Sequence, residues 1–339
     1  MKRLLALALA LCLLLALGTV CAFADEQEDA KANPITLKVA VKSSATAANS
    51  VATQRWVDAV NAADCGIEML LYTDASLGSE TEVVQQIIMG EPLIINADPT
   101  HLEAYAPELA LLNGPYFVES LEDFDYVVQT EWFAEQMELL KENNFFVINA
   151  DMHFGQRHLL ATKPVHTPAD LNGLKIRSQP AEISMATVEG LGGTPVPLAF
   201  SEIFEALNNK VVDGEENPLN TIYNAKHHET PAKYISLTGH TSTLTMYTMN
   251  YGVWNSLTEY QQKVLTETAH EAFTYYNEVL YPEATQEALD AFASDGAVVN
   301  EDVDIAAFKE SCKSVYDLID TNGVYEKVQE QIAELKNAA

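Results

Sequence analysis

Short apolar runs alternate with amphipathic stretches along the N-terminal third of the sequence. Three of the runs predict buried strands, at residues 35–41, 67–72 and 93–95. Apolar residues at helical spacing predict helices between them, at residues 48–62 and 80–89. Strands that alternate with helices in this way are typical of a mostly parallel sheet covered by helices.

A second unit of the same kind begins near residue 154. Its first strand contains Arg157, its next strand contains Ile176, and residues 211–212 are predicted to form a further short strand. Two helices are predicted within this unit, at residues 184–190 and 201–208. Ser201 has the chemistry of an N-cap, because its hydroxyl can accept a hydrogen bond from a free amide of the first helical turn.

A long helix is predicted at residues 258–279, where neither Gly nor Pro interrupts the apolar residues at helical spacing. About 22 residues give a helix of about 33 Å, which is long enough to lie across both units. The strand before it, at residues 244–249, is predicted to return the chain to the first unit. Chain crossings near residues 150 and 240, together with this helix, predict a hinge.

The first 24 residues have the pattern of a cleaved signal peptide. Lys2 and Arg3 precede an apolar run at residues 4–17, and small residues up to Ala24 form a cleavage site. The apolar run is shorter than the roughly 20 residues that a membrane-spanning helix needs. We therefore expect an exported protein, cut after Ala24, in the periplasm or elsewhere outside the cytoplasmic membrane. Acylation of Cys21 is the alternative, which the bulky residue before it disfavours.

Acidic residues dominate the charge of the chain. It has 19 Lys plus Arg against 49 Asp plus Glu, a formal net charge of −30. Such a charge argues against nucleic acid and anionic membrane surfaces as partners. It does not exclude a small anionic ligand, because salt screens the overall field beyond about 10 Å and a few placed cations then decide binding locally.

Metal and redox chemistry have no support in the sequence. Cys65 and Cys312, the cysteines beyond the predicted signal peptide, lie in opposite thirds of the chain, and we expect them to be unpaired. The sequence contains neither a C-x-x-C nor an H-E-x-x-H spacing. We therefore predict no metal site and no cofactor.

Arg177 is the first candidate for a binding residue. It ends a short strand-like run at residues 174–177, shortly before Pro180. In α/β proteins, ligand groups lie where a strand end opens into a loop. The planar guanidinium of arginine grips a carboxylate through two parallel hydrogen bonds. The alternative role for Arg177 is an ion pair with one of the many surface acids.

Five sequence pieces stand in a fixed order in the middle of the chain. They are G-x-R, K-P-V, P-x-D-L-x-G-x-K-I-R, P-V-P-x-x-F-x-E-x-x-x-A-L and V-V-D-G-x-E-N-P, at residues 155–157, 163–165, 168–177, 195–207 and 211–218. This order resembles the signature of the solute-binding proteins of TRAP transporters (tripartite ATP-independent periplasmic transporters, the DctP-like family). Two later pieces, at residues 233–240 and 308–311, also fit. The resemblance covers about residues 35–335 and is strongest from 155 to 240.

The resemblance implies an α/β fold with the two-lobe architecture of periplasmic binding proteins. A ligand cleft is expected between the lobes, and the long helix is expected to span both. We assign residues 25–154 and 243–282 to lobe I, and residues 155–242 and 283–339 to lobe II.

The resemblance also implies a function. The protein is expected to capture a small organic acid outside the cytoplasmic membrane and deliver it to a TRAP permease, as a monomer and without catalysis. Two alternatives stay open. One is an exported α/β enzyme acting on an anionic substrate, for which the sequence has no G-x-S-x-G motif. The other is a binding protein that serves a different importer or a receptor.

Four residues of the predicted lobe II match family positions with ligand roles. Arg177 matches the arginine that pairs with the ligand carboxylate. Arg157 matches one that faces the ligand or supports this anchor; its alternative role is a buried structural ion pair. Asn217 matches an asparagine that hydrogen-bonds the same carboxylate, although an Asn before Pro also forms turns. Phe200 matches an aromatic residue that walls the pocket, with ordinary core packing as its alternative.

Three residues of the predicted lobe I, at strand or helix ends, are candidates to face the cleft and bind the ligand. They are Lys42, Ser79 and Asp98. A carboxylate at Asp98 would accept hydrogen bonds from hydroxyl or amine groups of the ligand. On that basis we expect a monocarboxylate with hydroxyls, such as a uronate or an aldonate. The alternative for Asp98 is a turn before the proline that follows it.

Other conspicuous residues are assigned to the framework. Glu215 and Glu216 are predicted to lie at a solvated loop edge, because no nucleophile or metal partner accompanies them. Trp254 and Tyr223 are predicted to fill the core instead of stacking on a ligand.

Overall fold

The computed structural model of the protein describes residues 26–319 and 322–338. Nine strands in this part of the chain belong to one sheet. They are β1 Ile35–Ala40, β2 Ile67–Tyr72, β3 Leu93–Ala97, β4 Phe145–Ala161, β5 Lys175–Ser178, β6 Thr194–Pro197, β7 Gly214–Pro218, β8 Tyr234–Asn250 and β9 Val298–Asn300. Their order is β2-β1-β3-β8-β4-β7-β5-β6, and β9 pairs with β8.

Helices cover the sheet. They are α1 Ala48–Ala62, α2 Glu80–Ile88, α3 Phe124–Val127, α4 Glu131–Glu142, α5 Glu182–Leu191, α6 Ile203–Asn208, α7 Leu219–Asn224, α8 Tyr251–Ser256, α9 Glu259–Tyr275, α10 Tyr281–Ser294, α11 Ile305–Ile319 and α12 Val324–Ala338. Short 3-10 turns lie at Pro99–His101, Pro107–Asn113, Leu121–Asp123, Pro168–Leu171, Phe200–Glu202 and His227–Glu229, and a π turn, Tyr276–Leu280, joins α9 to α10. The elements predicted in the N-terminal third are confirmed to within two residues.

The sheet is parallel at its two ends and antiparallel in its middle. β1 pairs in parallel with β2 and β3, and β5 pairs in parallel with β6 and β7. Between these groups, β4 and β8, each 17 residues long, run antiparallel to each other. We call β1–β3 with their covering helices lobe I, and β5–β7 with theirs lobe II. The mostly parallel sheet predicted from the sequence is therefore right within each lobe and wrong for the strands that join them.

Two local predictions in lobe II are wrong. Residues 211–212 do not form a strand, because the Val211 amide donates to the Ala206 carbonyl (2.8 Å) and closes the C-terminus of α6. Ser201 is not the N-cap of α6, since it lies inside the preceding 3-10 turn. That turn is capped by Glu202, whose carboxylate accepts from the Ala199 amide at 2.8 Å.

Each lobe has its own hydrophobic clusters. In lobe I, one cluster surrounds Trp132 and another surrounds Trp56. In lobe II, one contains Phe308 and another contains Phe292. The C-terminal helix α12, which the predicted boundaries put in lobe II, inserts two apolar side chains into the Trp132 cluster of lobe I.

Residues predicted to be core or unpaired occupy such positions. Trp254 is buried and stacks on Phe146, with ring centroids 4.0 Å apart, and Tyr223 packs against the Phe292 cluster, so both core predictions are confirmed. Cys65 and Cys312 are free and buried in clusters of different lobes.

The long helix contacts both lobes, as predicted, but continues further than its sequence pattern indicated. Thr258 caps it through reciprocal hydrogen bonds with Gln261 (3.0 and 3.2 Å). Phe273 of α9 packs in lobe I, and Phe292 of α10 packs in lobe II. Pro282 does not end the helix, because it lies in the first turn of α10, directly after the π turn, where proline is tolerated.

Side chains at the π turn bind the backbone of β4. The register between β4 and β8 shifts repeatedly over residues 147–159, which disrupts regular strand pairing there. Asn277 accepts from the His153 amide (2.9 Å) and donates to the Asp151 carbonyl (2.7 Å). The Tyr281 hydroxyl accepts from the Gln156 amide (3.1 Å). The helix thus supplies hydrogen bonds along the irregular part of β4.

No helix in the described part of the chain combines the length and the apolar composition that crossing a membrane requires. The predicted signal peptide, residues 1–24, lies outside the described residues.

Gly155 tests how tightly the helix holds β4. Its φ is +131°, and an added Cβ would lie 2.6 Å from the Tyr281 ring. Gly173 also has positive φ (+79°), but nothing lies within 4 Å of its added Cβ. We expect Gly173→Ala to lower the free energy of unfolding by about 1–2 kcal/mol through backbone strain alone. Gly155→Ala should lower it by about 1–3 kcal/mol more, through the clash. Urea unfolding of both variants measures this, and equal losses would contradict the tight contact.

Candidate functional site

A cavity of about 360 Å³ lies between the lobes, within the size range of small-molecule sites. Its walls come from the C-terminal ends of strands in both lobes. Of the residues predicted to bind a ligand, five line it: Lys42, Ser79, Arg177, Phe200 and Asn217. Arg157 and Asp98 are not among the lining residues.

Arg177 is the buried cation of the lobe II wall. It lies near the end of β5 and is only 2% exposed. Its Nε donates to the Leu198 carbonyl at 3.0 Å. Within the described residues its guanidinium makes no other hydrogen bond and no ion pair with a carboxylate. Burial lowers the pKa of Arg177 from its ordinary value, although the nearby carboxylates of Glu216 and Glu215 oppose this shift. The site therefore holds a desolvated guanidinium with donors to spare.

Asn217 lies beside this cation on β7. It is part of the strand, which excludes the alternative of a simple turn before Pro218, and it is buried. Its Nδ2 donates to the carboxylate of Glu215, on the same face of the strand. Glu215 also lies 2.7 Å from Nδ1 of His227. These contacts fix the side-chain amide of Asn217 at the cavity wall.

Arg157 lies behind the wall and not in it. Its Nη2 donates to Oε1 of Glu216 at 2.7 Å and to the Glu216 carbonyl at 2.6 Å, and its Nε donates to Oε2 of the same residue. Both side chains are buried. The geometry is that of a buried structural ion pair, the alternative role considered for Arg157, and it can support the wall that carries Asn217.

The prediction that Glu215 and Glu216 lie at a solvated loop edge is wrong. They belong to β7, an interior strand between β4 and β5, and they are 0% and 5% exposed. Because successive side chains of a strand point to opposite faces, Glu216 meets Arg157 while Glu215 meets His227. Burial disfavours the charged form of Glu216, but Arg157 and His240 outweigh it and lower the pKa of Glu216 to about 2.

The lobe I wall carries a second cation, which is already paired. Nζ of Lys42, just after β1, lies 3.1 and 3.2 Å from the two carboxylate oxygens of Glu80, the first residue of α2. Nε2 of His101 lies 3.5 Å from the same carboxylate. The Lys42 ammonium also lies 5.5 Å from the ring centroid of Phe154 and 5.7 Å from that of Phe200. Phe200 belongs to lobe II, so this last contact crosses the cleft.

Ser79 lines the cavity as the N-cap of α2. Its amide donates to the Glu82 carboxylate at 2.8 Å, and its hydroxyl accepts from the Glu82 amide at 3.4 Å. This capping box accounts for Ser79 without a ligand.

The carboxylate of Asp98 already accepts hydrogen bonds from protein groups at both oxygens. Its carboxylate accepts from the Thr100 amide and hydroxyl (3.0 and 2.7 Å) and from Nδ2 of Asn113 (2.9 and 3.1 Å). It also accepts from Nε2 of Gln179 in lobe II, at 3.2 Å. The structure thus places Asp98 in a buried polar network that joins the lobes, and the argument for ligand hydroxyls based on Asp98 loses its support.

Glu80, Gln179 and Tyr276 are among the residues of the cavity wall that sequence reasoning missed. Gln179 follows the β5 end just after Arg177, a position that the strand-end rule covers. Glu80 follows the cap Ser79, where an acid is expected for helix stability alone. Tyr276 is one of the apolar positions of the predicted long helix, and nothing in the sequence distinguishes it as a residue of the cavity wall.

Among residues 26–319 and 322–338, no group of three or more His, Cys, Asp or Glu side chains is arranged to hold a metal ion.

Two lobes joined by crossing strands, with a cavity between them walled by strand ends of both, define a two-lobe solute-binding protein. The family model for bacterial extracellular solute-binding proteins, family 7, matches residues 40–322, and the chain belongs to this family. Its solved structural relatives are periplasmic solute-binding proteins of TRAP transporters. The family recognised from the sequence pieces is thereby confirmed, as is the two-lobe fold.

Three relatives illustrate the similarity. A solute-binding protein of Roseobacter denitrificans is 31% identical over 250 residues, which are 74% of this chain and 76% of the relative. A TRAP periplasmic solute-binding protein of Actinobacillus succinogenes with bound L-galactonate is 32% identical, with a TM-score of 0.83 over 88% of this chain and 100% of its own. One from Ochrobacterium anthropi with bound L-fuconate is 29% identical, with a TM-score of 0.84 over 88% and 99%.

The Arg157–Glu216 pair predicts a pH-dependent stability. Glu216→Gln leaves Arg157 buried without its counter-charge, and breaking a buried pair costs about 3–5 kcal/mol. Because the pKa of Glu216 in the folded protein (about 2) lies below its ordinary value of 4.5, the stabilisation is complete above that value. It is lost as the pH falls towards 2. Urea unfolding should therefore show a wild-type advantage over Glu216→Gln that shrinks as the pH falls from about 5 towards 2.

A matched control is Glu135→Gln, which removes an acid from an exposed ion pair with Lys327. Its expected cost is at most about 1 kcal/mol. A Glu216→Gln cost that equals the control, or that does not change with pH, would contradict the buried pair.

Proposed function

We propose that the protein captures a small organic acid outside the cytoplasmic membrane, binds its carboxylate through Arg177, and delivers it to a TRAP permease. The observation that carries this proposal is the buried guanidinium of Arg177, which lines the interlobe cavity. Among the described residues it makes a single hydrogen bond, from its Nε. A desolvated cation with unfilled donors is a strong site for an anion, and a carboxylate fits the guanidinium fork.

Three neighbours of Arg177 have separate roles in the proposed site. Asn217 lies at the wall with its amide oriented by Glu215, and in the proposal it contacts the same carboxylate. Arg157 acts as a positioning residue, because its pair with Glu216 holds the strand that carries Asn217. Phe200 covers the carboxylate from the side of lobe II. A micromolar site corresponds to about −8 kcal/mol, which one bidentate charge-assisted pair and several polar contacts can supply after ordering costs.

The relatives support an acid as ligand. Two TRAP solute-binding proteins that are 32% and 29% identical to this chain hold L-galactonate and L-fuconate, which are both monocarboxylates with hydroxyls. This support replaces the argument that rested on Asp98.

The family also supports the rest of the proposed role. As a monomeric receptor beyond the cytoplasmic membrane, the protein closes its lobes over the ligand and presents the closed surface to the permease. An exported enzyme is the alternative, but the family consists of solute-binding proteins. A binder returns its ligand unchanged, so recovery of an unmodified acid by NMR after prolonged incubation distinguishes the two.

Arg177→Ala tests the anchor. A ligand that binds the native state raises the melting temperature, so we expect a thermal-shift screen of organic acids to find a class that stabilises the wild type. Isothermal titration should then show that Arg177→Ala weakens this ligand by at least about 100-fold, because the charge-assisted fork is lost. Arg55→Ala, which removes an exposed arginine stacked on Tyr275, is the matched control and should bind as the wild type does.

Two results would overturn the proposal. One is a wild type that no organic acid stabilises. The other is an Arg177→Ala variant that binds as tightly as Arg55→Ala.

A further inference from the structure

The charged side chains of the cavity wall differ in whether they are already paired with an opposite charge of the protein. They are Lys42, Asp74, Glu80 and Arg177. Lys42 is held by both carboxylate oxygens of Glu80, at 3.1 and 3.2 Å. Arg177 has no carboxylate partner among the described residues. Of the Lys and Arg side chains on the described wall, therefore, only Arg177 is available to pair with a ligand carboxylate.

The pair of Lys42 and Glu80 is built into the wall. The two side chains are only 12% and 13% exposed, so water screens their attraction weakly. Glu80 begins α2, where the helix dipole favours a negative charge. The rings of Phe154 and Phe200 face the ammonium of Lys42 at 5.5 and 5.7 Å. A ligand carboxylate that approached Lys42 would meet Glu80 on the same side.

The charged groups around the Lys42–Glu80 pair are mostly acidic. Behind the wall, the carboxylates of Glu215 and Glu216 are buried near Arg157, and Asp98 lies in its polar network. Asp74 is exposed at the cavity rim. A second negative charge on the ligand would thus find no unpaired Lys or Arg side chain on the described wall and would be repelled by Glu80.

Hydroxyl groups, in contrast, suit the part of the cavity wall that Lys42 and Glu80 form. A hydroxyl both donates and accepts. The Lys42 ammonium has three N–H donors, which Glu80 does not exhaust, and the Glu80 carboxylate has lone pairs beyond those that meet Lys42 and His101. The intact pair can therefore bind vicinal hydroxyls without breaking.

We propose that the Lys42–Glu80 pair makes the site selective for monoanions: acids with a single carboxylate, bound at Arg177, and with hydroxyls that contact the Lys42–Glu80 pair. Dicarboxylates of the same length are rejected. This inference rests on the proposed function, since it takes Arg177 as the carboxylate anchor, and it assigns Glu80 as the residue that determines specificity.

Matched sugar acids test it directly. An aldonate and the aldarate with the same carbon skeleton differ only in whether the far end is a hydroxyl or a second carboxylate. Isothermal titration of the wild type with such pairs should show an aldonate that binds at least about 100-fold more tightly than its aldarate.

Two substitutions should move this ratio in opposite directions. Glu80→Gln frees Lys42 for a second carboxylate, so the aldonate-to-aldarate preference should fall by at least about tenfold. Lys42→Met removes the ammonium that pairs with Glu80 but keeps the carboxylate, so the preference should persist or rise while both acids bind more weakly. Asp74→Asn is the control for overall charge, because it also removes one acid from the cavity wall but not from the pair, and its preference should equal that of the wild type. Thermal melts of each variant establish that it is folded, and the Lys42 variant gives an independent test where the Glu80 variant does not fold.

The outcomes separate the two proposals. Equal wild-type affinity for aldonate and aldarate, an unchanged preference in Glu80→Gln, a preference lost in Lys42→Met, or an equal change in Asp74→Asn would overturn the selectivity inference while leaving the Arg177 anchor intact. A wild type that binds no organic acid, or an Arg177→Ala variant that binds normally, would overturn the proposed function and this inference with it.

Discussion

Two arginine side chains buried on either side of β7 set the constraint on which the ligand site depends. Removing a guanidinium from water costs several kcal/mol unless a counter-charge accompanies it. β7 supplies Glu216 to Arg157 at hydrogen-bonding distance. Arg177 has no carboxylate at that distance among the described residues, and Glu216, Glu215 and Glu80 compensate its charge from further away. One buried arginine is thus satisfied by the protein, and the other is left for a ligand.

The same constraint explains why β7 is an interior strand with polar residues. Successive residues of the strand face opposite sides, so Glu216 serves the arginine of β4 while Glu215 orients Asn217 towards the cavity. A strand with alternating apolar residues would pack well in this position, but it would leave Arg157 uncompensated. The polar sequence of β7 is therefore a consequence of the charges on its neighbours.

Sequence patterns predicted the elements that depend on local signals. The helix at residues 48–62 and the strand at residues 67–72 match in full, because apolar periodicity defines both. The long strands β4 and β8 were predicted only in fragments, since their polar residues pair with each other and with the π-turn region across the chain. Such long-range partners leave no periodic trace in either segment.

The site divides in the same way. Linked motifs led to Arg177, Asn217 and Phe200, all of which line the cavity, although their contacts with a ligand stay predictions. The acids of β7 were misjudged, because their burial depends on the position of the strand in the sheet and not on their own sequence. Glu80 was passed over for the opposite reason: an acid in the first turn of a helix already has an ordinary explanation.

The hydrogen bond from Gln179 of lobe II to Asp98 of lobe I has a consequence for the energetics of capture. This contact joins two protein side chains and involves no ligand atom, so in the lobe closure proposed above its strength would affect the fraction of empty receptor that is closed. Apparent affinity scales with that fraction for every ligand alike. The protein can therefore adjust how tightly it holds its cargo at one place, the buried network across the cleft, and which cargo it holds at another, the charged wall. The affinity for the ligand and the selectivity between ligands can thus evolve separately.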